Sequence, residues 1–225
     1  MAASASNTTT VQYLVWIEED KIYCDEAKLI DHLTQKLNCS GNDAAMIIQQ
    51  LTGHMKYGLC NFWKSAAEKM STEALGVLLH SIEHSQLIYL VSYQAKNDYT
   101  ALHLCAAYER YEVIKVILDI VNEKECYQLF SITGDQRWTP LHMSCVKGDA
   151  ESVRVMLSRI YPDMRYSLMQ MTCDGGNPPL QLACCYDHDG VINVIQESLT
   201  QTQWSNLPLM QEDTKAAALT VLQIL

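Results

Sequence analysis

Two phenylalanines, nine glycines and five prolines in 225 residues exclude several chain types at once. Scarce glycine and proline rule out collagen-like and low-complexity composition. Aromatic residues make up only 8% of the chain while 48% is apolar, so the core is built from Leu, Ile, Val, Ala, Met and Cys. Such a core suits helices better than the β-branched and aromatic faces of sheets, and it is large enough to exclude wholesale disorder. Positive charge is also short, with 16 Lys and Arg against 26 Asp and Glu, a net charge of −10. Phosphate contacts need clustered cations, so a nucleic-acid partner is not expected. No apolar run approaches the roughly 18 residues of a membrane span, and no membrane insertion is expected. Residues 1–10 lack the basic and apolar stretches of a secretory signal, and Ala2 stands where N-myristoylation needs glycine. The nine cysteines are odd in number and form no C-x-x-C pair. A reduced, intracellular and cytoplasmic protein without a disulfide framework is the expectation.

What the chain does have is an internal repeat. Thr139-Pro140-Leu141-His142 is preceded 39 residues earlier by Thr100-Ala101-Leu102-His103 and followed 39 later by Pro178-Pro179-Leu180-Gln181. Each anchor leads into a small, apolar stretch: Leu104–Ala107, Met143–Val146 and Leu182–Cys185. A polar break follows at Glu109, Gly148 and Asp187. Then comes a second apolar stripe, begun by Val113, Val153 and Val191, and finally a recurrent Leu129, Leu168 and Leu207. One step back, the same ruler meets a degenerate copy at Asn61 with its late Leu90. One step forward, it meets Ala217, within a unit that the last residue, Leu225, cuts short.

Each unit reads as two short helices. Thr139 is placed to cap the first, with Pro140 at its first turn, where the missing N–H costs nothing. Gly148 ends that helix, Asp149 caps the next, and Val153, Met156, Leu157 and Ile160 continue a 3.6-residue stripe. Helices shorter than about 12 residues are marginal alone. Stacked in register they bury a continuous core, so the array is the expected folding unit.

The Thr-Pro-Leu-His anchor, short helix, glycine turn and second helix resemble the ankyrin repeat over about Leu59 to Leu225. The resemblance implies an all-α, ankyrin-type helix-turn-helix solenoid with protruding loop tips. It also implies that the anchor threonine and histidine hydrogen-bond at the start of the first helix. That role falls to Thr100 with His103 and to Thr139 with His142, and it fails at Pro178 with Gln181. The unit departs from the family's length of about 33 residues. The extra residues fall after the second helix, in 122–134, 161–174 and 200–213, and are expected to form a longer second helix or an added turn. The family's tip glycine survives only as Gly176, with Asp98 and Arg137 in its place elsewhere, so altered tip geometry is expected there.

The organisation expected is a disordered lead over 1–10, a small N-terminal helical cap region or module over 11–56, and the array over 57–225. The units cover about 57–95, 96–133, 134–172 and 173–211, with a partial one at 212–225. Within 11–56, Val11–Ile17 reads as a strand, Glu18–Lys21 as a turn, and Asp25–Leu37 and Asp43–Lys56 as helices.

Enzymatic signals are sparse. His80 and His84 have helical i, i+4 spacing but no H-E-x-x-H context. No nucleophile elbow, phosphate loop or dinucleotide fingerprint occurs. The chain is expected to be a non-catalytic adaptor with no cofactor, metal or small-molecule substrate, which binds an unidentified protein partner. Its abrupt end within a unit admits a second reading, a regulatory fragment of a larger signalling or channel protein. Variable positions at the tips and on the first helices are free for recognition. Tyr99 and Trp138 share a register position beside the helix starts. Residues 134–172 carry Arg137, Lys147, Arg154, Arg159 and Arg165 and a net +1, against −4 for residues 173–211. Tyr99, Arg137, Trp138 and Lys147 are thus the expected partner contacts, on the concave face, toward an acidic or aromatic peptide. Packing of Trp138 against Tyr99 or the inserts is the competing expectation.

Overall fold

The computed structural model describes residues 14–19, 21–41, 44–49, 58–94 and 97–207. The expected lead at 1–10 and the partial unit around Ala217 lie outside the described residues, as does part of the expected helix at 43–56. The chain begins with an antiparallel hairpin, β1 (Val15–Glu18) and β2 (Lys21–Cys24), followed by α1 (Glu26–Leu37). Three helices then make each unit. The first unit holds α2 (Leu59–Lys69), α3 (Thr72–His80) and α4 (His84–Ser92). The second holds α5 (Ala101–Ala107), α6 (Tyr111–Leu118) and α7 (Glu123–Ser131). The third holds α8 (Pro140–Lys147), α9 (Ala150–Ser158) and α10 (Pro162–Met169). The fourth holds α11 (Pro179–Cys185), α12 (Asp189–Ser198) and α13 (Gln201–Ser205).

First helices stack on first helices, α2 through α5 and α8 to α11. Second helices stack likewise, α3 through α6 and α9 to α12. This stacking buries the stripes that no single unit could hide. Leu102, Cys105, Val113, Ile114, Cys145, Val153, Val191 and Ile195 all have 0% exposure.

The inserts are neither longer second helices nor single added turns. Each is a separate third helix, because each begins with its own start signal. Glu83, Asn122, Tyr161 and Thr200 stand 39 residues apart at the four N-caps. Asn122 with Glu125 and Thr200 with Gln203 form reciprocal capping boxes, and Pro162 opens α10. The recurrent leucine pins this helix to the core, with Leu90, Leu129, Leu168 and Leu207 all at or below 4% exposure. Trp63 Nε1 of α2 donates to the Leu90 carbonyl at 2.8 Å, which ties the first and third helices of the first unit.

The N-terminal region is not purely helical. Its hairpin joins the first unit by a parallel bridge between Val15 and Ile82 and by a bond from the Leu14 N–H to the Ser81 carbonyl at 3.3 Å. Val15 and Ile22 point inward, while Trp16 and Tyr23 stack on the outer face. Helix α1 packs on α3 through Leu29 and Leu33, both fully buried.

The turn between first and second helices uses left-handed backbone at Glu109 (φ 54°), Gly148 (φ 74°) and Asp187 (φ 56°). Only glycine adopts this conformation without a Cβ penalty. The Glu109→Gly variant should therefore be more stable than wild type by about 0.5–1 kcal/mol, read as a rise in the urea midpoint at unchanged m-value.

Candidate partner-binding surface

The tips before each first helix share one backbone feature at one register position. Asp98, Arg137 and Gly176, spaced 39 apart, all have left-handed backbone, at φ 56°, 58° and 75°. Where Arg137 stands in the glycine's place the expected change of geometry does occur, since its neighbour Gln136 is left-handed too (φ 53°), unlike Gly175 beside Gly176. The tips are tied to one another by backbone bonds. The Asp135 N–H donates to the Asn97 carbonyl at 3.0 Å, and the Asp174 N–H to the Gln136 carbonyl at 2.9 Å. Within the third unit's tip, a 3-10 turn spans Asp135–Arg137, and the Gly134 N–H closes on the Trp138 carbonyl at 2.7 Å.

The anchor residues lock each tip to its neighbour. The Thr100 N–H donates to His103 Nδ1 at 3.1 Å, and the Thr100 hydroxyl lies 2.9 Å from the same nitrogen. Because Nδ1 accepts, Nε2 carries the proton, and it donates to the Trp138 carbonyl of the next unit at 2.9 Å. His142 repeats this with the Thr139 N–H at 3.2 Å, the Thr139 hydroxyl at 2.7 Å and the Asn177 carbonyl at 3.2 Å. Pro140 occupies the first turn of α8 and is buried. Both rings are fully buried, and desolvation pushes each imidazole down from 6.5 to about 4, against the smaller opposing pull of the carbonyls. Both are neutral at pH 7.

The four expected contact residues are not gathered into one patch. Trp138 is only 2% exposed, with its ring 6.2 Å from that of His142. It belongs to the core, and the expectation of a partner contact there is corrected. The tip turns back on itself through the Gly134 and Trp138 bond, which directs the indole inward. Tyr99 is half-buried, stacks on His103 at 5.4 Å and lies flush over Gly134, where a Cβ would have no room. Arg137 is exposed at the tip, whereas half-buried Lys147 sits at the far end of α8. An eight-residue helix places those ends about 12 Å apart.

The basic unit also dissolves as a patch. Arg159 pairs with Asp119 at 3.2 Å and donates to the Leu118 carbonyl, which stitches the third unit to the second. Arg165 donates to the Ser198 carbonyl at 3.2 Å, and Arg154 meets Glu197 at 3.5 Å, both reaching the fourth unit. Similar staples escaped the sequence reading. Arg110 donates to the Ala67 and Met70 carbonyls at 2.9 and 3.2 Å, and His188 Nε2 lies 2.9 Å from the Val146 carbonyl. The 39-residue register of Arg110, Asp149 and His188 was the one signal that could have found them.

Other candidate chemistry has structural occupations. His84 Nε2 lies 2.9 Å from Glu125 Oε1, and His80 Nδ1 donates to the Gly76 carbonyl at 2.7 Å. Among the described residues no group of three or more His, Cys, Asp or Glu is arranged to hold a metal ion. Burial pushes the Cys105 thiol up to about 12 and raises that of Cys145 too, so neither supplies a thiolate nucleophile. No described helix is long and apolar enough to cross a membrane.

Residues 97–124, which hold the second unit's tip, its anchor and both of its main helices, match the family model of the ankyrin repeat. No curated protein gives a significant match. The stacked helix pairs and the Thr-His lock make the described chain a helical solenoid, and its second unit matches the ankyrin repeat, a module suited to protein–protein interaction.

Proposed function

We propose that the protein is a non-catalytic adaptor that holds a protein partner on its row of repeat tips. The observation that carries this reading is a left-handed residue at the same register of three tips, borne by non-uniform side chains. Asp98, Arg137 and Gly176 share one conformation and one spacing, while their chemistry is acidic, basic and absent in turn. A rigid scaffold with interchangeable tips separates folding from recognition. Of the residues expected to contact a partner, Arg137 is the principal contact, Tyr99 supplies a rim, and Lys147 marks the other end of the first helix. The N-terminal hairpin and α1 act as the cap of the array, supported by their packing on α3 and the bridge to Ile82.

The test is affinity capture with the wild-type chain beside an Arg137→Glu variant. A partner held at the tips should lose affinity on the order of tenfold or more, while thermal melts of the two chains coincide. Equal retention of every captured protein by both chains would remove the tips from the reading.

A further inference from the structure

The interior of the third unit departs from that of its neighbours. Among the described residues, five buried side-chain oxygens make no hydrogen bond, and three of them fall between residues 144 and 152: Ser144 Oγ, Asp149 Oδ2 and Ser152 Oγ. Ser144 and Ser152 are fully buried, at 0% exposure. Thirty-nine residues to either side, the place of Ser144 is taken by Cys105 and Ala183, and that of Ser152 by Val113 and Val191. None of these brings an oxygen into the core. At the place of Asp149 stand Arg110 and His188, whose nitrogens reach carbonyls of the preceding unit. A carboxylate has no hydrogen to offer such a carbonyl. Three replacements within one unit thus put oxygen where the adjoining units have sulfur, hydrocarbon or nitrogen.

The three residues belong to one turn. The Asp149 N–H donates to the Ser144 carbonyl at 3.0 Å, and the Ser152 N–H donates to Asp149 Oδ1 at 3.0 Å. The carboxylate is held between Ser144 of α8 and Ser152 of α9, with one oxygen used and Oδ2 left over. A buried polar atom that has given up water for no partner is destabilising, and folded proteins meet such atoms with ordered water. What meets these three must donate to a carboxylate oxygen and also accept from a hydroxyl. Water does both. A bare cation accepts no hydrogen, and an ammonium group only donates.

We propose that the third unit holds one structural water, bound by Ser144 Oγ, Asp149 Oδ2 and Ser152 Oγ. It donates to Asp149 Oδ2 and to one serine and accepts from the other, which gives the roughly three bonds usual for an internal water. Because Ser144 lies on α8 and Ser152 on α9, the water joins two helices at a point where the adjoining units have no oxygen. The experiment determines crystal structures of the full chain and of a Ser144→Ala, Ser152→Val variant, which carries the fourth unit's residues at both places. Wild-type density should show a water within hydrogen-bond distance of all three oxygens, and the variant should lose it. A thallium(I) soak of the wild-type crystals, which marks monovalent-cation sites, should give no anomalous peak there. Both hydroxyls turned onto carbonyls of their own helices, with no water between them, would overturn the proposal. So would an anomalous peak, or a variant that keeps the water. The wild-type crystals decide the matter even where the variant does not fold.

Discussion

Replacing Trp138 with alanine should cost the fold about 3–5 kcal/mol, the range for removing a large buried aromatic. The indole is 2% exposed, and its own carbonyl receives both the Gly134 N–H and His103 Nε2. The cavity would open where the third unit's tip meets the anchor lock of the second. Units contact only their neighbours, so the loss should be local enough to uncouple the array. Urea denaturation should show a lower midpoint and, if the interface between the second and third units fails first, a split transition with a reduced apparent m-value. The Arg137→Glu chain, altered one residue earlier, should keep the wild-type midpoint. A Trp138→Ala chain with unchanged stability and lost partner binding would return the indole to the surface.

Acid should unfold the array through its two anchor histidines. Each is neutral and buried, with a pKa of about 4 in the folded chain against 6.5 in the unfolded one. The unfolded state therefore binds more protons between those values. The stability is fully present above pH 6.5 and is lost as pH falls toward 4, by about 3 kcal/mol for each histidine. Desolvation of the imidazolium is the main cause, and the Thr100 and Thr139 N–H groups add to it, since a protonated Nδ1 cannot accept their bonds. Urea midpoints measured across this window should fall steeply for wild type. In a His103→Gln, His142→Gln chain, less stable at neutral pH, the same curve should be flatter. Equal slopes in the two chains would move the acid sensitivity elsewhere.

The repeat was legible because burial is periodic. Val113, Val153 and Val191 must face the same stack, so selection by packing leaves the same residue class at nearly the same spacing. The anchor lock was legible too, since Thr100 with His103 and Thr139 with His142 act within one helical turn. The third helix is written in the capping boxes at Asn122 and Thr200, outside the anchor and stripe pattern of a two-helix unit. The candidate surface was less legible. Arg159 meets Asp119 from 40 residues away and Arg165 reaches Ser198 from 33 away, and no local spacing distinguishes such staples from a solvated basic face.

By itself, then, the sequence determined the helical units, their length, their register and the residues that close each first helix. These depend on contacts between neighbours in the chain or at a fixed repeat. Only the tertiary structure decided that Trp138 is core and Arg137 is surface, although they are adjacent in sequence. That choice is made by the tip's turn and its bonds to the adjoining tips. It alone also decided that Ser144, Asp149 and Ser152 keep buried oxygens without partners, because burial is a property of surfaces brought together and not of any segment that lines them.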